Sequence, residues 1–138
     1  MRVTKGMEGM EGTEGTEGTE EKLNASVNAS TISCGGEEYE IWTGKSAEHN
    51  DQLLDLCAPQ DVWFHVDGQS SAHVILRNPA NHKLRKLPRP AIKRAACLCK
   101  ASVKARGDCA VIYTERRNVN KTDVPGRVDV TNLKRVVV

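Results

Sequence analysis

Residues 60–77 have the sequence QDVWFHVDGQSSAHVILR, and the rest of the chain is organised around them. The stretch holds one of the two tryptophans, the single phenylalanine and two of the four histidines. Residues 62–66 and 73–77 are β-prone runs, and the link between them is polar and contains Gly68. Two such runs joined by a short polar link predict an antiparallel β-hairpin.

Side chains of the first predicted strand alternate between its two faces. Val62, Phe64 and Val66 therefore share one face, which we expect to belong to the core. Trp63 and His65 share the opposite face. Because this second face carries an aromatic ring and an imidazole, we interpret it as the candidate functional face.

Charge is distributed unevenly along the chain, although the formal net charge is only +2. Residues 37–67 contain eight acidic residues and the single base Lys45, whereas residues 77–106 contain ten bases and no acid. A basic block of this density is typical of a protein that binds an anionic partner, usually nucleic acid. The alternative is a solvated basic face that has no partner.

The N-terminal part differs in composition from the rest. Residues 1–31 have almost no large apolar side chains, and from Gly6 they repeat in threes as GME-GME-GTE-GTE-GTE. Such a tract cannot bury a core, so we predict a disordered tail over 1–31 and one folded domain over 32–138. We find no apolar run long enough to span a bilayer, no secretory signal and no paired cysteine spacing. We therefore expect a cytoplasmic protein with reduced thiols.

The folded part predicts an α+β architecture, in which one mainly antiparallel sheet packs against one long and one short helix. Gly35-Gly36 predicts a first hairpin, and Ser46 is the predicted N-cap of the short helix. Further along, the pattern indicates a strand at 109–114, followed by a terminal hairpin formed by strands at 127–130 and 134–138.

The long helix is predicted to begin at Pro90 and to end at Arg106. Lys93, Lys100 and Lys104 fall within about 40° of one another beside the apolar stripe of this helix. The sequence therefore predicts a line of positive charge along one side of a packed helix.

Four motifs follow one another in a recognisable order. They are Tyr39-Glu40-Ile41-Trp42-Thr43-Gly44-Lys45; Asn50-Asp51 with Leu53; Asp61-Val62-Trp63-Phe64-His65 with Ser71-Ala72-His73-Val74-Ile75; and Lys104-Ala105-Arg106 with Tyr113-Thr114, Val119-x-Lys121 and Pro125-Gly126. Together they resemble the NFACT-R domain, the predicted RNA-binding domain of NFACT proteins, and the third motif is the most specific. One departure is Ser102-Val103, where the family usually has Tyr-Ser.

The resemblance covers residues 32–138 and implies a non-catalytic RNA-binding domain without a cofactor. It implies tRNA or rRNA as the ligand, on the large ribosomal subunit or a stalled ribosome during ribosome quality control. Nothing before residue 32 resembles the other NFACT domains, so we expect a stand-alone form that lacks the tailing activity of full-length relatives.

The predicted nucleic-acid-binding set combines basic residues with the side chains of the motifs. It consists of Lys45, Asn50, Trp63, His65, Ser71, His73, Arg77, Lys93, Lys100, Lys104, Arg106 and Lys121. The lysines and arginines are expected to contact phosphates. We expect Trp63 to stack an unpaired base, and His65 and His73 to donate to phosphate or 2′-hydroxyl oxygens.

Other interpretations of the same residues stay open. Trp63 can be a core residue under the long helix, and the two histidines can support the hairpin through Asp61. Asp61, His65, Ser71 and His73 are also the residue types of a nucleophile–base set. The chain has no nucleophile-elbow motif and no common zinc spacing, so we expect neither an enzyme nor a metal site. DNA can bind the same charges, and the acidic half, 37–67, can dock a basic ribosomal protein.

Overall fold

A computed structural model describes residues 27–138 of the chain. The predicted tail therefore lies largely outside the described residues. Its boundary at residue 31 is wrong, because the first strand already begins at Val27. The strand pairs along its whole length with the next strand, and Val27 lies opposite Gly44.

A pair of strands precedes each of the two α-helices, and four strands follow the second helix. In chain order they are β1 (Val27–Cys34), β2 (Glu37–Gly44), α1 (Ala47–Leu56), β3 (Val62–Val66), β4 (Val74–Leu76), α2 (Arg89–Ala101), β5 (Ala110–Glu115), β6 (Val119–Lys121), β7 (Val128–Val130) and β8 (Lys134–Val137). Short 3₁₀ turns occupy Leu84–Lys86 and Arg116–Asn118. Six strands form an antiparallel sheet in the order β1-β2-β4-β3-β5-β8, and β6 pairs with β7 in a second, two-stranded sheet. The predicted α+β class is confirmed.

The large sheet is covered on both faces. Helix α2 packs on one face, where Val62, Phe64 and Val66 belong to the larger apolar cluster. Trp63 lies in a second cluster on the other face with residues of α1 and the small sheet. The predicted alternation along β3 is therefore confirmed, and the face that carries Trp63 is also buried.

Local turn and cap signals fold as the sequence predicts. Gly35 and Gly36 have φ angles of 61° and 80°, the left-handed conformation of a two-residue hairpin turn. The hydroxyl oxygen of Ser46 accepts a hydrogen bond of 3.2 Å from the main-chain N–H of His49, which caps α1. These signals succeed because all their partners lie within a few residues.

Helix α2 is shorter than predicted and ends at Ala101. The hydroxyl of Ser102 donates to the carbonyl of Cys99 and accepts from the main-chain N–H of Ala72, at 2.7 and 2.9 Å. These bonds fasten the end of the helix to the link between β3 and β4. The predicted line of three lysines is therefore wrong, because Lys104 lies beyond the helix.

The predicted terminal hairpin is also wrong. Strand β7 pairs with β6 in the small sheet, whereas β8 adds to the edge of the large sheet beside β5. Val128 and Val130 pack in the cluster around Trp63, and Val136 packs in the cluster under α2. Each strand thus follows its apolar side chains to a different core.

Candidate nucleic-acid interface

A cleft of about 770 Å³ opens where the link between β3 and β4 meets the loop that joins β6 to β7. Half of the predicted binding set lines it, namely Lys45, Asn50, Trp63, His65, Ser71 and His73. Among the described residues, no carboxylate lines this cleft. The motifs that are scattered along the sequence therefore meet at one place.

His73 is buried in the wall of the cleft, and both of its ring nitrogens are occupied. Nδ1 accepts a hydrogen bond of 3.1 Å from the indole N–H of Trp63, which can only donate. Nε2 lies 3.1 Å from the carbonyl oxygen of Gly126, which can only accept, so Nε2 carries the proton. The imidazole is therefore held neutral in one tautomer. Burial, with a smaller contribution from His65, lowers the pKa of His73 to about 4.

The predicted role of His73 as a donor to nucleic acid is therefore wrong. The ring N–H of the neutral imidazole donates to a main-chain carbonyl, and the side chain is 1% exposed. The alternative, in which His73 supports the hairpin, is correct, although His73 does not contact Asp61 in doing so. Instead, His73 is hydrogen-bonded to Trp63 on β3 and to Gly126 in the loop between β6 and β7.

Asn50 holds the same segment from the other side. Its Oδ1 accepts a hydrogen bond of 3.2 Å from the main-chain N–H of His73, and the His73 carbonyl accepts from the N–H of Gly44. A Cβ at Gly44 would overlap the Asn50 amide, so only glycine lets α1 approach β2 this closely. Asn50 is buried and acts as a positioning residue for the cleft.

The Pro125-Gly126 loop closes one side of the cleft. The N–H of Gly126 donates a hydrogen bond of 3.0 Å to Oδ1 of Asp51 on α1, while its carbonyl accepts from His73. Gly126 has a φ of 80°, and a Cβ there would come within 2.9 Å of the Ala47 Cβ. The Asn50-Asp51 and Pro125-Gly126 motifs of this chain are therefore in direct contact.

Trp63 cannot stack a base in this structure. Its side chain is 1% exposed and packs in one cluster with Trp42 and the apolar residues of α1, and its indole N–H donates a hydrogen bond to His73. The core interpretation is correct, but Trp63 packs on the face opposite the long helix. Its ring lies parallel to that of His65 at 5.7 Å and therefore supports that imidazole.

His65 is the ring that the cleft presents. Its Nδ1 lies 2.6 Å from the carbonyl oxygen of Val66, so Nδ1–H donates to the main chain. In the neutral imidazole, Nε2 then carries a lone pair. Burial lowers the pKa of His65, which favours this neutral form. His65 therefore offers a hydrogen-bond acceptor, not the donor that was predicted.

Ser71 and Asp61 do not assemble a catalytic set with the histidines. The Ser71 hydroxyl accepts from the N–H of Val66 and donates to the carbonyl of Ala72, both at 3.0 Å. Asp61 is fully buried, and its carboxylate accepts from the main-chain N–H groups of Ala58 and Asn78 and from the Arg77 side chain. Its partner is thus an arginine outside the cleft. No group of three or more metal-ligating side chains converges within residues 27–138.

Three predicted phosphate-binding residues are engaged elsewhere. Arg77 donates from Nε to Asp61 at 2.7 Å, and its guanidinium carbon lies 4.1 Å from the centre of the Trp42 ring. Lys121 pairs with Asp55 at 2.6 Å, and Lys100 donates to the main-chain oxygen of Val138 at 3.1 Å. The structure gives these three side chains intramolecular roles.

The remaining predicted bases lie away from the cleft. Lys93 is exposed on α2 and lines a separate groove. Lys104 and Arg106 are exposed in the segment that follows α2. Sequence reasoning missed Arg127, which lines the cleft directly after the Pro125-Gly126 motif; its position beside that motif was the available signal.

Comparisons with known proteins identify a family and several relatives of this chain. A family model described as the NFACT protein RNA binding domain matches residues 31–131. Coiled-coil domain-containing protein 25 of Mus musculus is 37% identical over 102 residues, which cover 72% of this chain and 46% of that protein. Protein JLP2 of Saccharomyces cerevisiae is 32% identical over 106 residues, which cover 70% of this chain and 50% of that protein.

A solved structure shares the fold. The C-terminal part of the fibronectin/fibrinogen-binding protein from Streptococcus suis matches with a TM-score of 0.66 at 22% identity, over 82% of this chain and 44% of that one. The chain spans about half the length of the relatives that it matches. Within residues 27–138, no helix has the length and apolar character that a membrane span requires.

Proposed function

The chain belongs to the NFACT protein RNA binding domain family, and we propose that it binds RNA, with one unpaired nucleotide seated in the cleft. The observation that carries this proposal is the hydrogen-bonding state of His65. Its proton is held by the Val66 carbonyl, so the nitrogen left for a ligand is an acceptor.

An acceptor at this position selects among the groups of a nucleotide. Phosphate oxygens carry only lone pairs and cannot donate to a neutral imidazole nitrogen. A ribose 2′-hydroxyl can donate, and this group is absent from DNA. Two basic residues at the rim of the cleft, Lys45 and Arg127, supply contacts for the adjoining phosphates.

The proposed role is binding without catalysis. Two findings support this. The Ser71 hydroxyl proton is donated to a main-chain carbonyl, and His73 has no free nitrogen with which to accept a proton. A nucleophile needs a base within hydrogen-bond reach of its own proton.

The proposed ligand is tRNA or rRNA, bound in the cytoplasm on the large ribosomal subunit or a stalled ribosome. This choice is supported by the resemblance of the motifs to NFACT proteins of ribosome quality control. Crosslinking the RNA bound in cells and sequencing it separates tRNA and rRNA from other transcripts. Recovery of genomic DNA would instead support the DNA alternative, and recovery of ribosomal proteins alone would support an adaptor.

The His65→Phe variant tests the role of the cleft directly. Phenylalanine keeps a flat ring against Trp63 but has no acceptor nitrogen, so one hydrogen bond is lost. We expect affinity for an unpaired RNA oligonucleotide to fall by about 3- to 10-fold, because such a bond contributes about 1 kcal/mol. Affinity for DNA of the same sequence should change little. Fluorescence anisotropy with both oligonucleotides measures the two values.

A matched control is His82→Phe, since His82 is only partly buried and pairs with Glu37 away from the cleft. Its RNA affinity should equal that of the unmodified chain. Equal affinity of the unmodified chain for RNA and DNA would contradict the proposed use of the 2′-hydroxyl. Absence of RNA binding would contradict the proposed function itself.

A further inference from the structure

A second groove, of about 480 Å³, lies between α2 and the edge strand β8. Five basic residues line it, namely Arg85, Arg89, Lys93, Lys134 and Arg135. No acidic residue lines it among the described residues. The floor is apolar and includes Tyr113, whose ring stacks on that of Phe64 at 5.2 Å. These basic residues come from a 3₁₀ turn, from the helix α2 that follows it, and from β8, which is distant from both in sequence.

Four of these five basic residues form no ion pair with an acidic side chain in the part of the chain that the structure describes. Arg135 is the exception, since it pairs with Asp67 at 2.7 Å. Lys134 lies opposite Tyr113 in the pairing of β8 with β5, so its side chain stands on the α2 side of the sheet. Arg85 lies in the 3₁₀ turn, and Arg89 and Lys93 lie in the first and second turns of α2.

The start of α2 is unusual in its charge. An α-helix carries a partial positive charge at its N-terminus, which favours acidic residues there. The first turn of α2 has no acidic residue, and neither a side-chain cap nor a carboxylate satisfies it. Arg89 and Lys93 instead add positive charge to this end. An anion in the groove would relieve this repulsion.

Protection of a sheet edge does not account for the arrangement. Lysine on an edge strand discourages pairing with another chain, and this explains Lys134. It does not explain Arg85 and Arg89, which lie on a turn and a helix. A basic cluster built from three elements is the arrangement expected for a surface that binds a ligand with repeated negative charge.

We propose that this groove binds the phosphodiester backbone of the RNA, and this inference rests on the proposed function. Arginine presents a planar fork that matches phosphate oxygens, and lysine contributes a point charge. The groove replaces the predicted line of Lys93, Lys100 and Lys104 as the main phosphate-binding surface, and only Lys93 is common to both. The cleft would then contact the nucleotide, while the groove holds the backbone.

A charge-matched pair of triple variants tests the groove. The groove variant is Arg85→Glu/Arg89→Glu/Lys134→Glu. The control, Lys83→Glu/Lys86→Glu/Arg94→Glu, makes the same change in net charge at exposed basic residues that do not line the groove and do not belong to the predicted binding set. All six side chains are exposed, so both variants should keep the circular dichroism spectrum of the unmodified chain.

We expect the groove variant to lower affinity for an unpaired RNA oligonucleotide by about tenfold or more at 0.15 M salt. The slope of log affinity against log salt should flatten by about two, since each lost phosphate contact removes about 0.7 for a single strand. The control should alter affinity less than about threefold. Equal effects of the two variants would overturn the groove and leave RNA binding intact.

Two other outcomes separate the groove from the proposed function. Equal binding of RNA and DNA, with both lost in the groove variant alone, would support the groove and contradict a preference for RNA. Binding of neither nucleic acid, with binding to anionic lipid vesicles that the groove variant abolishes, would assign the groove to a membrane surface and overturn the inference.

Discussion

At the scale of single residues, His73 couples the fold to pH. Its folded-state pKa is about 4, below the ordinary value of 6.5, so the unfolded chain takes up the proton more readily. The neutral imidazole therefore stabilises the fold fully above pH 6.5, and this contribution is lost as pH falls from 6.5 towards 4. The pKa of His65 is also lowered, which acts in the same direction.

We expect the free energy of unfolding to fall by about 2 kcal/mol between pH 7 and pH 5, mainly through protonation of His73. Urea denaturation at the two pH values measures this loss. His73→Gln removes the titrating ring, so this variant, although less stable at pH 7, should lose about 2 kcal/mol less than the unmodified chain over the same interval. An identical loss in both proteins would show that other groups cause the pH dependence.

At the scale of elements, the approach of α1 to β2 depends on one glycine. A methyl group at Gly44 would overlap the Asn50 side chain, which in turn holds the N–H of His73. We expect Gly44→Ala to lower the free energy of unfolding by roughly 1–3 kcal/mol, the usual cost of overpacking. Urea denaturation measures it. Gly68→Asn is the control, because nothing lies within 4 Å of its Cβ position and asparagine tolerates its φ of 82°.

A double-mutant cycle identifies the cause of that cost. Asn50→Ala removes the amide that the new methyl group would strike, although it also removes the acceptor for His73. The cost of Gly44→Ala should therefore be smaller in the Asn50→Ala background by about 1 kcal/mol or more. If the two costs simply add, the methyl group does not meet Asn50, and the close approach of α1 to β2 has another origin.

The elements also show where sequence reasoning succeeds and fails. Both hairpins of the large sheet and the cap at Ser46 were predictable because their partners are local. The pairing of β7 and β8 depends on the apolar clusters that their side chains join, and these clusters bring together residues that are distant in sequence. In the same way, alternation placed Trp63 on the correct face of β3 but did not reveal that α1 and β6–β7 cover this face.

The candidate site was predictable to the extent that its residues belong to motifs. Asn50, His65, Ser71 and His73 do meet at one cleft, yet their roles follow from hydrogen bonds that spacing does not reveal. The basic residues were harder to assign, because a sequence shows which side chains are charged but not where they point in the folded protein. Lys100 and Arg77 bind groups of their own chain, whereas Arg85 and Lys134 converge from distant elements.

At the scale of the whole molecule, the cleft and the groove are separate surfaces. The groove lies on the α2 side of the large sheet, while the cleft is walled by side chains such as His65 and Ile112 that belong to the opposite face. They share no lining residue. The sheet between them is a closely packed partition, so a substitution at one surface should leave the geometry of the other unchanged.

This separation predicts additive effects on RNA binding. Distant sites without shared partners usually add their free energies within about 0.5 kcal/mol. We therefore expect the losses caused by His65→Phe and by the groove variant to sum, within that margin, when the two are combined and one RNA is titrated at one salt concentration. Additivity requires that a single RNA contacts both surfaces at the same time. A combined loss no larger than that of the groove variant alone would mean that the oligonucleotide reaches the groove but never the cleft, and His65 would then have no part in the complex.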